Sequence, residues 1–242
     1  MYKLKQKTAL ITGSTGTLTQ AIVLNLANQG VNLALQYYRN NAQVNELKKK
    51  LDLTNIKYKF YQFDLLETIS PQQLAQKALA DFTQIDILIN AASRFCIATI
   101  EQTEDTLLNE MLTLNIAVPF KLARALADNF YHYNGAIINI TDIWGIRPKA
   151  NFIAYSTAKA GLIGLTKALA ETFAPKTTVN AIAPGIINFP DNIDEDNRKK
   201  IISRIPVQRK GTPEEIAHAV IQIIQNRYIT GQIFTIDGGR LL

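Results

Sequence analysis

The stretch Thr8-Ala-Leu-Ile-Thr-Gly-Ser-Thr-Gly-Thr-Leu-Thr-Gln-Ala-Ile22 decides the fold. Ala9, Leu10 and Ile11 form an unbroken apolar run between threonines, the pattern of a strand buried on both faces. Five small residues follow, Thr12 to Gly16. From Thr17 to Asn28 the apolar residues fall at helical spacing, and Gly30 stops the helix. A buried strand that runs through a small-residue turn into a helix is the opening of a parallel α/β sheet.

The same alternation continues outward. Strands are predicted at Asn32–Gln36, Lys57–Phe63, Ile85–Asn90, Ala136–Ile140, Thr178–Ala183 and Gln232–Ile236. Helices are predicted at Asn41–Leu51, from Pro71 to Phe82 with Ser70 as cap, at Ala154–Phe173 and at Pro213–Gln225. Glu104 to about Tyr131 reads as one long helix bent near Pro119. No linker, repeat or low-complexity tract divides the chain. The expected architecture is one doubly wound α/β domain over 1–242, a parallel sheet of about seven strands with helices on both faces.

Composition narrows the chemistry. Of 242 residues 47% are hydrophobic, so a large core is available. The one cysteine, Cys96, excludes an internal disulfide or a Cys-based zinc site, and His132 and His218 alone leave no basis for a metal centre. No apolar run is long enough to span a bilayer, and the N-terminus lacks a signal-peptide core, so a cytoplasmic protein with no membrane partner is expected. The net charge of +6 is scattered, which argues against nucleic acid and suits a small phosphorylated ligand.

In a doubly wound sheet ligands bind beyond the C-terminal strand ends. The small residues Gly13 to Gly16 there let backbone amides approach a pyrophosphate at a helix N-terminus, although such residues also make ordinary turns. The second strand ends in Gln36 and Tyr37 with no carboxylate, and Tyr38 and Arg39 follow; a guanidinium suits a 2′-phosphate. Tyr155 and Lys159 share a helix face, so the ammonium is expected to lower the phenol's pKa and make it a usable proton donor. Asp142, after the fifth strand, and Asn115, in the long helix, complete the set.

These motifs, with Asn90-Ala91-Ala92-Ser93, Pro184-Gly185 and Asp237-Gly238-Gly239, stand in the order and spacing of short-chain dehydrogenases/reductases, which the chain resembles over nearly its whole length. The resemblance implies that Tyr155, Lys159, Asp142 and Asn115 are catalytic. It implies NADPH held by Gly13, Thr15, Thr17, Leu18, Tyr38, Arg39, Asp64, Leu65, Asn90, Ala91, Ala92, Tyr155, Lys159, Pro184 and Gly185. Asp142 stands where most of the family has Ser, and this is similar to the pteridine reductase branch, which includes dihydromonapterin reductases. That branch implies a pterin-like small-molecule substrate against Ser93, Phe95, Asp142, Trp144 and Tyr155, Phe95 stacking on its ring. Trp144 either lines that site or packs under a lid expected over 186–200. The lid's acidic run (Asp191, Asp194, Glu195, Asp196) is expected to be solvated. A homotetramer is also implied, with the helices at 104–131 and 154–173 in one interface.

Two departures bear on the cofactor turn. Thr17 falls where the family has Gly and the branch usually has Arg; Thr19 falls where the motif's last Gly belongs, with Gly16 expected to restore some backbone freedom. Phe189 replaces the family's frequent Thr five residues after Pro184. Two rival readings stay open. One is reduction of a ketone or 3-oxoacyl thioester, which Asp142 argues against. The other is a non-catalytic binding protein with a weakened cofactor site, which the intact Asn115, Tyr155 and Lys159 argue against.

Overall fold

A computed structural model describes residues 2–189 and 193–242. Seven parallel strands form one sheet in the order β3-β2-β1-β4-β5-β6-β7: β1 Thr8–Ile11, β2 Asn32–Tyr37, β3 Tyr58–Gln62, β4 Ile87–Asn90, β5 Gly135–Ile140, β6 Thr177–Pro184 and β7 Ile233–Ile236. Strand order reverses between β1 and β4, which opens a crevice at their C-terminal ends.

The strands alternate strictly between two cores. Ala9, Ile11, Leu33, Leu35, Ile87, Ile89 and Ile138 face one layer, with α1 (Thr17–Asn28), α2 (Asn41–Leu51) and α10 (Pro213–Gln225). Leu10, Ala34, Leu88 and Ile137 face the other, with α3 (Ser70–Phe82), α5 (Val118–Ala125) and the last turns of α8 (Ile153–Phe173). Period-two alternation with both faces apolar explains why the strands read as continuous hydrophobic runs. Among the described residues no helix is long and apolar enough to cross a membrane.

Three expectations are corrected. The long helix is broken into α4 (Asp105–Leu112), a π-helical turn (Thr113–Ala117), α5 and α6 (Ala127–His132). Pro119 has no N–H for the carbonyl of Asn115, so the backbone widens just before it. Second, α3 begins at Ser70 itself and has no side-chain cap, because the Ser70 hydroxyl donates to Glu67 (3.2 Å). Third, two helices appear that periodicity did not announce, α7 (Ile143–Ile146) and α9 (Glu195–Ile202). Both are capped by aspartates: Asp142 accepts from Trp144 N–H, and Asp194 from Asn197 N–H, each at 2.8 Å. The second lies in the segment expected as a lid, of which 190–192 fall outside the described residues. Asp194, Glu195 and Asp196 there sit exposed at a helix N-terminus, where negative charge is favourable.

Candidate active site

The crevice is built by close backbone approach. The Thr12 hydroxyl oxygen accepts the N–H groups of Ala91 and Ala92, both at 3.1 Å, and so ties the end of β1 to the end of β4. Gly13 has φ +63°, and a β-carbon there would lie 2.8 Å from the Cα of Ala92; only glycine fits. Gln36 has a role that sequence reading missed. Its side chain is buried, its Oε1 accepts from Gly13 N–H (2.9 Å), and its Nε2 donates to the Phe63 carbonyl (2.8 Å). The amide fixes the turn between β1 and β3 and is spent within the protein. The only sequence signal was a long polar residue ending an otherwise apolar strand.

A cavity of about 770 Å³ opens over this turn. Of the residues expected to hold a dinucleotide, Gly13, Thr15, Tyr38, Arg39, Asp64, Leu65, Ala91 and Ala92 line it, as does Ser93, which was expected at the substrate. Thr17 and Leu18 do not: Thr17 is exposed at the first helical position, and Leu18 packs against the core. Asn90 is buried and donates to Asn139 (2.8 Å), while Pro184 and Gly185 lie where β6 meets the end of β7. Gly16 has φ −66°, open to any residue, so it supplies none of the freedom expected of it. Thr19 is buried and lines the cavity at the start of α1. Gly16 caps α1 without a side chain, and the first turn carries no acid, so the helix N-terminus keeps amide donors for an anion. The Ser14 hydroxyl is buried without a protein partner. At the mouth, Arg39 stacks on Tyr38, its guanidinium 4.3 Å from the ring centre.

Beside this cavity, Asp142 ends the chain's path out of β5. One carboxylate oxygen accepts from Trp144 N–H and the other from the Tyr155 hydroxyl (3.1 Å). Lys159 is buried one turn further along α8, donates to the Ile140 carbonyl (2.9 Å), and lies 5.6 Å from the Tyr155 ring centre. Gly145 makes this possible: a β-carbon there would sit 2.8 Å from the Lys159 backbone, so α7 can press against α8. Asn115, in the π-helical turn, accepts from the Ser93 hydroxyl (3.0 Å) and donates to the Met111 carbonyl (2.9 Å). Met111 lines the cavity and packs against Tyr155, which joins the two regions.

An aromatic wall stands over Tyr155. Phe95 is exposed, and its ring centre lies 5.3 Å from Tyr155, 5.7 Å from Trp144 and 5.3 Å from Phe152. Trp144 and Phe152 are 4.1 Å apart. Trp144 is therefore part of this wall. Phe152 was missed; its place three residues before Tyr155, on the first turn's approach, was the available signal.

Residues 7–200 match the short chain dehydrogenase family. The chain belongs to that family. It is 33% identical over 241 residues to the uncharacterized oxidoreductase YmfI of Bacillus subtilis, covering 96% of this chain and 98% of that one. It is 31% identical over 255 residues to a 3-oxoacyl-(acyl-carrier-protein) reductase of Synechocystis, with both chains fully covered. The crystal structure of FolM alternative dihydrofolate reductase 1 from Brucella canis, complexed with NADP, superposes with a TM-score of 0.89 at 25% identity, covering 100% of this chain and 97% of that one.

The electrostatics of this oxidoreductase site depart from expectation at one point. Burial, reinforced by the Asp142 carboxylate that accepts its proton, raises the Tyr155 pKa well above 10 instead of lowering it. Lys159 is held by the Ile140 carbonyl, and its own charge is penalised by burial, which brings its pKa down to about 8 against the opposing pull of Asp142. Burial also raises Asp142, offset by the Trp144 N–H, Lys159 and Tyr155. Tyr155 thus stays a protonated donor across the physiological range, and Lys159 is the group that titrates near neutrality. Its charged form is present below about 8 and lost above it. The alkaline limb of kcat/KM should therefore fall near pH 8. In Asp142→Asn, which removes the field that favours the ammonium, the limb should move to lower pH. A limb that stays in place in that variant would contradict this assignment.

Proposed function

We propose that the protein is an NADPH-dependent reductase that transfers hydride to a C=N bond of a dihydropterin-like ring. The observation that carries the reading is the Tyr155–Asp142 hydrogen bond beneath the aromatic wall of Phe95, Trp144 and Phe152. A flat ring with polar edges suits an aromatic face beside a carboxylate and a phenol. The likeness to the Brucella canis alternative dihydrofolate reductase supports the same direction.

The cavity over Gly13 fits a dinucleotide: glycine where backbone must approach, uncapped amides at the α1 N-terminus, and Tyr38 and Arg39 at the mouth. Bound NADPH supplies the hydride. Arg39 would pair with its 2′-phosphate, and Gly13, Thr15, Ala91 and Ala92, which line the cavity, would hold the rest. Tyr155 gives its proton to the ring nitrogen as the C=N bond is reduced. Asp142, which accepts from the Tyr155 hydroxyl, relays a replacement proton from solvent to the phenolate. The Lys159 ammonium offsets the charge left on the phenol. Asn115 fixes Ser93 at the cavity edge.

A second reading is reduction of a ketone such as a 3-oxoacyl thioester, favoured by the 31% identity to the Synechocystis reductase. NADPH oxidation with 7,8-dihydropterins, dihydrofolate and small 3-oxoacyl thioesters separates the two. Turnover is expected with the dihydropterin class, and Tyr155→Phe should reduce it by roughly 10²–10⁴-fold while NADPH still binds. Exclusive turnover of thioesters, or near-normal rates in Tyr155→Phe, would overturn the reading. NADPH should be preferred over NADH, and Arg39→Ala should erode that preference; an unchanged ratio removes Arg39 from the account.

A further inference from the structure

Four cationic side chains lie within one another's electrostatic reach, with Lys149 over the aromatic wall, and none serves the chemistry above. Arg147 and Lys149 lie on the loop between α7 and α8. Arg204 follows α9, and Arg240 is in the C-terminal tail. Three separate chain segments therefore deliver them. The tail is locked to α9: Arg240 Nη1 donates to the Ile201 carbonyl (3.2 Å), and Val207 N–H donates to the Gly238 carbonyl (3.1 Å). That lock needs glycine, since a β-carbon on Gly238 would lie 2.8 Å from Ile205, and both Gly238 and Gly239 have positive φ. Lys149 reaches over the Trp144 ring, its ammonium 5.1 Å from the ring centre. The cationic cluster is thus continuous with the wall over Tyr155.

The four groups repel one another, and among the described residues none of them is in an ion pair. The ion pairs among those residues are Lys7–Asp86, Lys59–Asp81, Arg94–Glu110 and Arg209–Glu215. Asp237, in the same tail, accepts from the backbone N–H groups of Gly239 and Leu241. Burial and then the fields of Arg240, Arg204 and Arg147 hold the Lys149 pKa below its ordinary value; burial, Arg204 and Arg147 do the same to Arg240. Like charges gathered from three segments make a local positive field, and such a field attracts an anion.

We propose that the substrate carries a carboxylate or phosphate group on a tail, and that Arg147, Lys149, Arg204 and Arg240 receive it while the reacting ring lies against Trp144 and Phe95. This rests on the placement of the reacting ring at Tyr155 proposed above. The shared chemistry is a flexible oxyanion tail; glutamyl carboxylates on a dihydropterin and the phosphates of a coenzyme A thioester are two sources of it. Matched pairs distinguish them: dihydrofolate against 6-hydroxymethyl-7,8-dihydropterin, and acetoacetyl-coenzyme A against acetoacetyl-N-acetylcysteamine. In the pair that is turned over, the tailed member should have the higher kcat/KM. Lys149→Gln and Arg204→Gln should each reduce the tailed-to-tailless ratio by about tenfold, the scale of one charged hydrogen bond. Arg240→Gln also loosens the tail, so the exposed pair is tested separately. Trp144 is the chain's one tryptophan and reports on the site without turnover. Titration of its fluorescence with p-aminobenzoyl-glutamate and with adenosine 3′,5′-bisphosphate should give saturable binding by one of them, weakened in Lys149→Gln. If no pair is turned over but this binding is found, the anion site stands and the placement of the ring fails. Ratios unchanged in both variants, or no binding of either probe, would overturn the proposal.

Discussion

Everything at the candidate site turns on a half-buried carboxylate. Asp142 leaves β5, caps α7 with one oxygen and accepts the Tyr155 proton with the other. A buried carboxylate is costly unless its lone pairs are filled, so both bonds are structural requirements as well as chemical ones. The cap holds Trp144 at the start of α7, and α7 in turn presses Gly145 against the backbone of Lys159. One side chain therefore sets the phenol, the indole and the lysine helix relative to each other. It also inverts the expected electrostatics: beside a carboxylate in a dry site the phenol holds its proton, and the lysine is the group brought near neutrality.

The neighbouring cavity depends on a different constraint, backbone contact between β1 and β4. Thr12 binds two successive amides after β4, and Gly13 lies so close to Ala92 that no side chain fits. Gln36 reinforces the arrangement from β2. These contacts keep the turn open at the strand-order reversal and leave the buried Ser14 hydroxyl without a protein partner. Thr19, at the start of α1, is accommodated as a buried residue, so the departure from the family's glycine pattern adds bulk to the cavity without breaking the turn.

The sheet and most helices were legible because strands buried on both faces read as short unbroken apolar runs, as Ala9-Leu10-Ile11 does, whereas amphipathic helices show a 3.6-residue period. Asp142 and Phe95 were singled out because they lie just beyond predicted strand ends, and Tyr155 because it shares a helix face with Lys159; the structure brings the three side chains together. Other features were not. The π-helical turn around Asn115 arises from the missing N–H of Pro119, which pattern alone reads as a bend. The short helix α7 has too few residues to show a period. The Tyr155 pKa depends on burial, which spacing does not report. The meeting of Lys149, Arg204 and Arg240 depends on how the tail packs against α9, a contact between segments far apart in sequence.

The central claim is that Asp142 selects a proton-accepting ring nitrogen over a ketone oxygen. The most direct measurement is the ratio of kcat/KM for a 7,8-dihydropterin to that for a 3-oxoacyl thioester, in the natural protein and in Asp142→Ser. The account predicts a ratio favouring the dihydropterin that falls by roughly tenfold or more in the variant, since the lost group accepts from Tyr155 within the reacting site. A ratio unaffected by the substitution, or one that favours the thioester from the outset, would contradict it.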